Sequence, residues 1–143
     1  MCIRDRLYKA ADNGVKIKMI IRGICCLIPT QDKNIKIISI IDRFLEHTRI
    51  FIFNNNKKNE TYISSADWMT RNLDNRVEVT CPIHDSKIKK EINDIFNIYW
   101  SDNVKSRLIN QKDANVYKSD IKKSNSIRSQ LEIYNYYKSK IEN

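Results

Sequence analysis

The spacing of apolar positions changes along the chain, and each change marks an element. Leu7, Ala10 and Ala11 share one helical face and Gly14 follows them, which predicts the last turns of a helix closed by a glycine stop. "VKIKMII" alternates and then becomes continuously apolar, the pattern of a strand entering a sheet interior. "TQDKN" reads as a polar turn and "IKIISII" as a second strand, running into a short helix over "DRFLE". "TRIFIFN" is a third strand and "NNKKN" a hairpin-like loop of turn formers. "ETYISSA" and "NRVEVTCPI" complete the set as fourth and fifth strands.

From Asp85 the period becomes helical. Ile88, Ile92, Ile95, Phe96 and Tyr99 form an apolar stripe with Asp85 as N-cap. "NQKDANVYKSDIKKSNS" is a polar, basic connector, and "SIRSQLEIYNYYKSKIE" closes the chain as a helix with Ile127, Leu131, Tyr134 and Ile141 facing inward. Helix, strands, then helices predict an α/β fold, a mixed β-sheet flanked by helices. The sequence shows no internal repeat or low-complexity tract.

Composition narrows the partners. The 143 residues suit one domain, and 26 Lys+Arg against 17 Asp+Glu give a net charge of +9. That field favours polyanions: nucleic acid, nucleotides, polyphosphate or an acidic membrane surface. No run approaches the ~18 apolar residues of a membrane span, because Arg22 interrupts the most apolar stretch, "MIIRGICCLIP". The N-terminus lacks the apolar core of a signal peptide, so a cytoplasmic location is expected. The cysteines (Cys2, Cys25, Cys26, Cys81) form no CxxC pair and no metal-ligand spacing with histidine, so they read as buried reduced thiols rather than a zinc site.

His47 is one of two histidines and falls at the expected junction between the short helix and the third strand. A lone histidine is ordinarily a structural residue. Here Arg49 follows on the same strand face, and "SSADWMTRNLDNR" supplies small polar residues, an acid and two arginines. An imidazole titrating near ~6.5 exchanges hydrogen bonds with phosphoryl oxygens at working pH. Guanidinium forks bind phosphate bidentately, and phosphoryl transfer depends chiefly on positioning and charge neutralisation. Trp68 and Met69 read as packing residues, His84 as a surface residue, and "KIKK" at 87–90 and Lys122-Lys123 as solvated faces. Arg71 and Asp67 read as groups holding the loop, or as a surface ion pair.

The spacing His47-x-Arg49-x4-Asn54, then Ser64-Ser65-Ala66-Asp67, resembles a degenerate half of the phospholipase D motif, H-x-K-x4-D followed by G-S-x-N. The closer resemblance is carried by "VKIKMIIRGICCLIP", "IIDRFLEHTRIFIF", "YISSADWMTRNLDNRVEV", "IYWSDNVKSRLIN" and "QLEIYNYYKS". Together these look like the C-terminal region of bacterial polyphosphate kinase of the long-chain-synthesising type, from about Leu7 to the end.

That resemblance implies the second of two phospholipase-D-like catalytic domains over residues 7–143, truncated from a larger enzyme, with "MCIRDR" (1–6) as non-native sequence. It implies reversible transfer of the terminal phosphoryl group of ATP to polyphosphate, with Mg2+, through a phosphohistidine in an upstream domain that also carries the magnesium ligands. His47 matches the family's second histidine, a general acid/base that contacts the nucleotide. Arg22, in "IIRG", and Arg76, in "NLDNRVEV", match arginines that bind ATP phosphates. Arg49, Ser65, Asp67 and Arg71 are expected to support them. Implied partners are ATP/ADP, polyphosphate, the rest of the enzyme chain and further copies in a homo-oligomer, with neither nucleic acid nor a membrane span; the isolated chain is expected to be inactive. The turn "PTQDKNIK" is shorter than the family's connector, and "NNNKKN" replaces a glycine-rich turn. Two other readings share the charge and the motif: a nucleic-acid-binding module, and a phosphodiesterase half that dimerises to pair two histidines. Arg49 and Asn54, in place of lysine and aspartate, weigh against the second.

Overall fold

The computed structural model describes residues 3–29, 34–56, 58–110, 116–118 and 126–142. In chain order the elements are α1 (Ile3–Asp12), β1 (Ile17–Ile20), β2 (Ile35–Ile40), β3 (Ile50–Asn55), β4 (Lys58–Ser64), α2 (Thr70–Asn75), β5 (Thr80–Ile83), α3 (Ser86–Ser101), β6 (Ser106–Ile109), β7 (Val116–Tyr117) and α4 (Ser129–Ile141). Two compact units result, residues 1–46 with 97–143, and residues 47–96. The expected α/β class with a mixed sheet is present. The strands divide into two sheets, however, where the sequence suggested one.

The first unit is built on the mixed sheet β1-β2-β6-β7, in which β1 and β2 are parallel and the other pairs antiparallel. β2 lies between two neighbours, and Ile35, Ile37, Ile38 and Ile40 are all at most 3% exposed. A strand covered on both faces needs such a near-continuous apolar run, which is why "IKIISII" does not alternate. Leu7, Tyr8 and Ala11 of α1 pack on this sheet with Leu27, Ile17 and Met19. The α1 stop is a Schellman motif: Val15 N–H donates to Ala10 C=O (3.1 Å) and Gly14 N–H to Ala11 C=O (2.9 Å), with Gly14 at φ +85°.

Asp102 organises the other half of this unit. It is fully buried, and its Oδ1 accepts from the N–H groups of Val104 (3.0 Å), Lys105 (2.7 Å) and Ser106 (3.0 Å). Its Oδ2 accepts from Ser129 N–H (2.7 Å), the first residue of α4. One carboxylate thus turns the chain from α3 into β6 and caps α4 from outside, where the positive end of the helix dipole favours an anion. Burial pushes the Asp102 carboxyl up, but the N–H donors of Ser129, Lys105 and Ser106 outweigh it and hold it below the usual aspartate range. Beside it, Arg128 grips Asp42 bidentately, Nε to Oδ2 at 2.7 Å and Nη2 to Oδ1 at 2.6 Å. That hydrogen bonding lowers Asp42 also.

The short helix expected over "DRFLE" does not form. Five residues are too few to nucleate a helix unaided, and the backbone of Phe44 finds other partners. Its N–H donates to Gln130 Oε1 (3.1 Å) and its C=O accepts from Gln130 Nε2 (2.9 Å). The inward positions expected on α4 are also corrected: Leu131, Tyr134 and Ile141 are exposed and Ile127 is half-buried. α4 is held at its start by polar contacts rather than by an apolar stripe, which left its periodicity uninformative.

The second unit is an antiparallel meander, β3-β4-β5, in which Ile50 faces Ile63 and Thr61 faces Ile83. The expected hairpin closes between Asn55 and Lys58, with Asn56 at φ +46°; Lys57 lies outside the described residues. Asp85 caps α3 as expected, its Oδ1 accepting from Lys87 N–H (2.8 Å) and Ile88 N–H (2.9 Å). Ile92 on the predicted stripe is buried, whereas Ile88 is half exposed.

Residues 70–75 are helical, and β6 and β7 are strands, none of which the periodicity announced. The "TQDKN" turn (apart from Asn34), most of the basic connector and Lys122-Lys123 lie outside the described residues. The cysteines correct another expectation: Cys26 and Cys81 are exposed and Cys25 is only partly buried, because adjacent residues after β1 cannot both point inward and β5 is a sheet edge.

Replacing Asp102 by Ala leaves four N–H donors without their acceptor, and urea unfolding of the variant should read a loss of about 2–4 kcal/mol. The two lowered carboxyls also fix a pH response. An aspartate whose folded pKa is depressed contributes stability above its unfolded value of ~3.9 and loses it as pH falls through the lower folded value. Unfolding midpoints should therefore decline below about pH 4, and the decline should be shallower in Asp102→Asn than in the parent chain.

Candidate active site

The residues singled out around His47 lie in the second unit, and the backbone brings several of them into contact. The Arg49 C=O continues the β3–β4 pairing, accepting from Ser64 N–H at 3.0 Å. This pairing sets the segment after β4 beside the start of β3. Arg49 Nε donates to Asp67 Oδ1 (2.8 Å) and Nη2 to Asp67 Oδ2 (3.2 Å). Asp67 therefore pairs with Arg49 and not with Arg71. The remaining terminal nitrogen of Arg49, Nη1, contacts His47 Nδ1 at 3.3 Å. The Arg49 side chain is 15% exposed, while His47 is exposed. The Asp67 hydrogen bonds raise the Arg49 pKa above its ordinary value against the opposing effect of burial.

Ser65 sits in the same segment and holds a different acid. Its Oγ donates to Glu78 Oε2 and accepts from Val79 N–H (3.0 Å), while its own N–H donates to Val79 C=O (2.9 Å). Glu78 Oε1 accepts from Asn72 Nδ2 (2.6 Å), and Asn72 is buried in α2. The hydrogen bonds from Ser65 and Asn72, then the positive charges of Arg76 and Arg49, hold the Glu78 carboxyl below its usual range. Glu78 joins the site without a distinctive sequence signal. The signals were an acid inside the alternating "VEVT" and an asparagine within the arginine-rich run, both ambiguous without the fold.

Arg76 follows α2 in extended conformation and is exposed. Arg71, on α2, is exposed as well, and among the described residues no hydrogen bond or ion pair is identified for its guanidinium. Trp68 packs as expected, its ring stacked on Phe51 at 5.0 Å and 11°. Met69, expected to pack, is instead exposed, and as the N-cap residue of α2 it makes no side-chain cap. His84 is exposed, as expected.

Arg22 belongs to the first unit, half-buried after β1. Its Nη1 donates to Glu46 C=O at 2.6 Å. The Glu46 carboxylate accepts from Tyr99 Oη (2.7 Å) and Gln130 Nε2 (2.7 Å). These three contacts fix the end of the extended segment that the sequence had suggested as helix.

Chemically, the second unit presents an imidazole and the guanidinium groups of Arg71 and Arg76 to solvent, over a polar network that pins Arg49. Such a surface suits a phosphate ester or anhydride. Among the described residues no three His, Cys, Asp or Glu side chains gather as a cation site. The described residues therefore do not fit a resident Mg2+. Among the described residues no helix is long and apolar enough to cross a membrane.

Residues 2–130 match the family described as polyphosphate kinase C-terminal domain 2. The chain is 51% identical over 141 residues to the polyphosphate kinase of Vibrio parahaemolyticus serotype O3:K6, covering 95% of this chain and 20% of that protein. It is 46% identical over 140 residues to the polyphosphate kinase of Escherichia coli K12, covering 94% of this chain and again 20% of the relative. The crystal structure of polyphosphate kinase from Porphyromonas gingivalis superposes with a TM-score of 0.92 at 44% identity, over 98% of this chain and 22% of that one. The chain thus spans about a fifth of the length of the relatives it matches. With its α/β architecture and its extended match to that domain, the chain belongs to the polyphosphate kinase C-terminal domain 2 family.

Proposed function

We propose that residues 7–143 form the second catalytic domain of an ATP:polyphosphate phosphotransferase, with His47 as its catalytic residue and Arg22, His47 and Arg76 as its contacts to ATP phosphates. The observation that carries this reading is the exposed imidazole of His47, backed by the Arg49–Asp67 pair, in a chain about half identical to polyphosphate kinases. The reaction moves the terminal phosphoryl group of ATP to a growing chain and returns ADP. The nucleophilic histidine and the Mg2+ ligands lie in the upstream portion of the enzyme, and the complete protein acts as a cytoplasmic homo-oligomer. Guanidinium groups neutralise charge on the nucleotide while His47 hydrogen-bonds the phosphoryl region.

Arg49, Ser65 and Asp67 support the site through the network that holds His47 and the segment after β4, and Arg71 adds positive charge at the surface. A phosphodiesterase half is disfavoured because a clamped Arg49 replaces the mobile lysine, and an exposed Asn54 on β3 replaces the aspartate, of that motif.

Joined to the upstream domains of a relative, the chain should release ADP from ATP in the presence of polyphosphate. His47→Ala should lower kcat about 10²–10⁴-fold in that assay; undiminished turnover would remove His47 from the chemistry. Arg22→Ala and Arg76→Ala should each raise the KM for ATP about 10–100-fold, the effect of losing one charged hydrogen-bonded contact. By calorimetry the isolated chain should bind ATP weakly without hydrolysing it. Salt-sensitive binding of RNA or DNA, with no response to ATP, would instead favour a nucleic-acid module.

A further inference from the structure

The guanidinium of Arg49 is used on two sides. Asp67 takes Nε and Nη2, and Nη1 faces His47 Nδ1 at 3.3 Å. A guanidinium carries only donors and keeps its charge throughout the working pH range. Nδ1 of His47 must then be the acceptor, and a neutral ring in that position carries its proton on Nε2. In the familiar histidine dyad a carboxylate accepts from Nδ1–H and leaves Nε2 free to take a proton. The cation at Nδ1 reverses that polarity.

We propose that Arg49, clamped by Asp67, is a positioning residue that fixes His47 as the neutral Nε2–H tautomer and so presents the ring to a phosphoryl oxygen as a hydrogen-bond donor. This rests on the reading of His47 as the catalytic residue. While Nδ1 accepts from Arg49, Nε2 has no lone pair to receive a proton, and giving up its own proton would create an imidazolate. The ring in this state stabilises charge by donation and transfers no proton. Its contribution is of the preorganised-donor kind, in place of the general acid/base role that the family resemblance implies. If the Arg49–Asp67 pair were only a strut tying residue 67 to the start of β3, it would leave the tautomer of His47 unconstrained.

The experiment is a two-bond 1H–15N correlation spectrum of the imidazole nitrogens in the 15N-labelled chain, at about pH 8, where an ordinary imidazole is neutral. Only His47 and His84 contribute, and the exposed His84 serves as internal comparison. The expected result for His47 is one protonated nitrogen, Nε2, and one unprotonated nitrogen, Nδ1. In Arg49→Lys a point cation replaces the fork and cannot hold both carboxylate oxygens and Nδ1, so the two nitrogens should move to tautomer-averaged shifts. Asp67→Asn should shift them the same way by a smaller amount. An averaged or Nδ1–H pattern in the parent chain overturns the proposal, and so does an unchanged Nε2–H pattern in the folded variants. If Arg49→Lys fails to fold, the parent spectrum and Asp67→Asn decide. An Nε2–H ring combined with full turnover of His47→Ala would sink the catalytic reading but not the hold of Arg49 on the ring. An averaged ring with an inactive His47→Ala would sink the role of Arg49 alone.

Discussion

The buried carboxylate of Asp102 is the constraint on which the first unit depends. It receives four backbone N–H groups from two places, the turn into β6 and the first residue of α4. An ionised carboxylate survives desolvation only when its lone pairs are met, and here the main chain meets them. β6 is therefore placed where it can pair with β2, and α4 starts where Arg128 reaches Asp42 and Gln130 reaches Phe44. A single side chain fixes the chain's path both into β6 and into α4.

The segment 42–46 shows how that constraint is passed on. Arg128 holds Asp42, Gln130 holds the backbone of Phe44, and Arg22, Tyr99 and Gln130 hold Glu46. The segment is extended because its backbone and carboxylates are answered by distant side chains. In the second unit a parallel logic operates with different residues. Glu78 collects Ser65 and Asn72, and Asp67 collects Arg49, so that the residues after β4 are tied to β3 and β5 by side-chain acids.

Much of this was legible in the sequence where apolar spacing or a local cap decides the structure. The α1 stop at Gly14, the buried run of β2, the β3–β4 hairpin and the Asp85 cap of α3 all follow from rules that act within a few residues. The misreadings share a cause. "DRFLE" has a helical apolar spacing, but its backbone partners come from Gln130, more than eighty positions away. Leu131, Tyr134 and Ile141 look like an inward stripe, but α4 is anchored at its start by Asp102. β6 and β7 have too few residues to display a period, and α2 hides within a polar run. For the site, the grouping of His47, Arg49 and Asp67 was visible as residue types, whereas the choice of Arg49 over Arg71 as the partner of Asp67 required the strand register.

The reciprocal amide grip of Gln130 on Phe44 separates two properties that are usually coupled. Because the main chain at Phe44 is satisfied from outside, its local course does not depend on the side chains of Phe44 and Leu45, which point largely into solvent. Their large apolar groups contribute little to holding this chain together. The chemistry displayed at positions 44 and 45, just ahead of the imidazole, can therefore change while the track held by Gln130 stays the same.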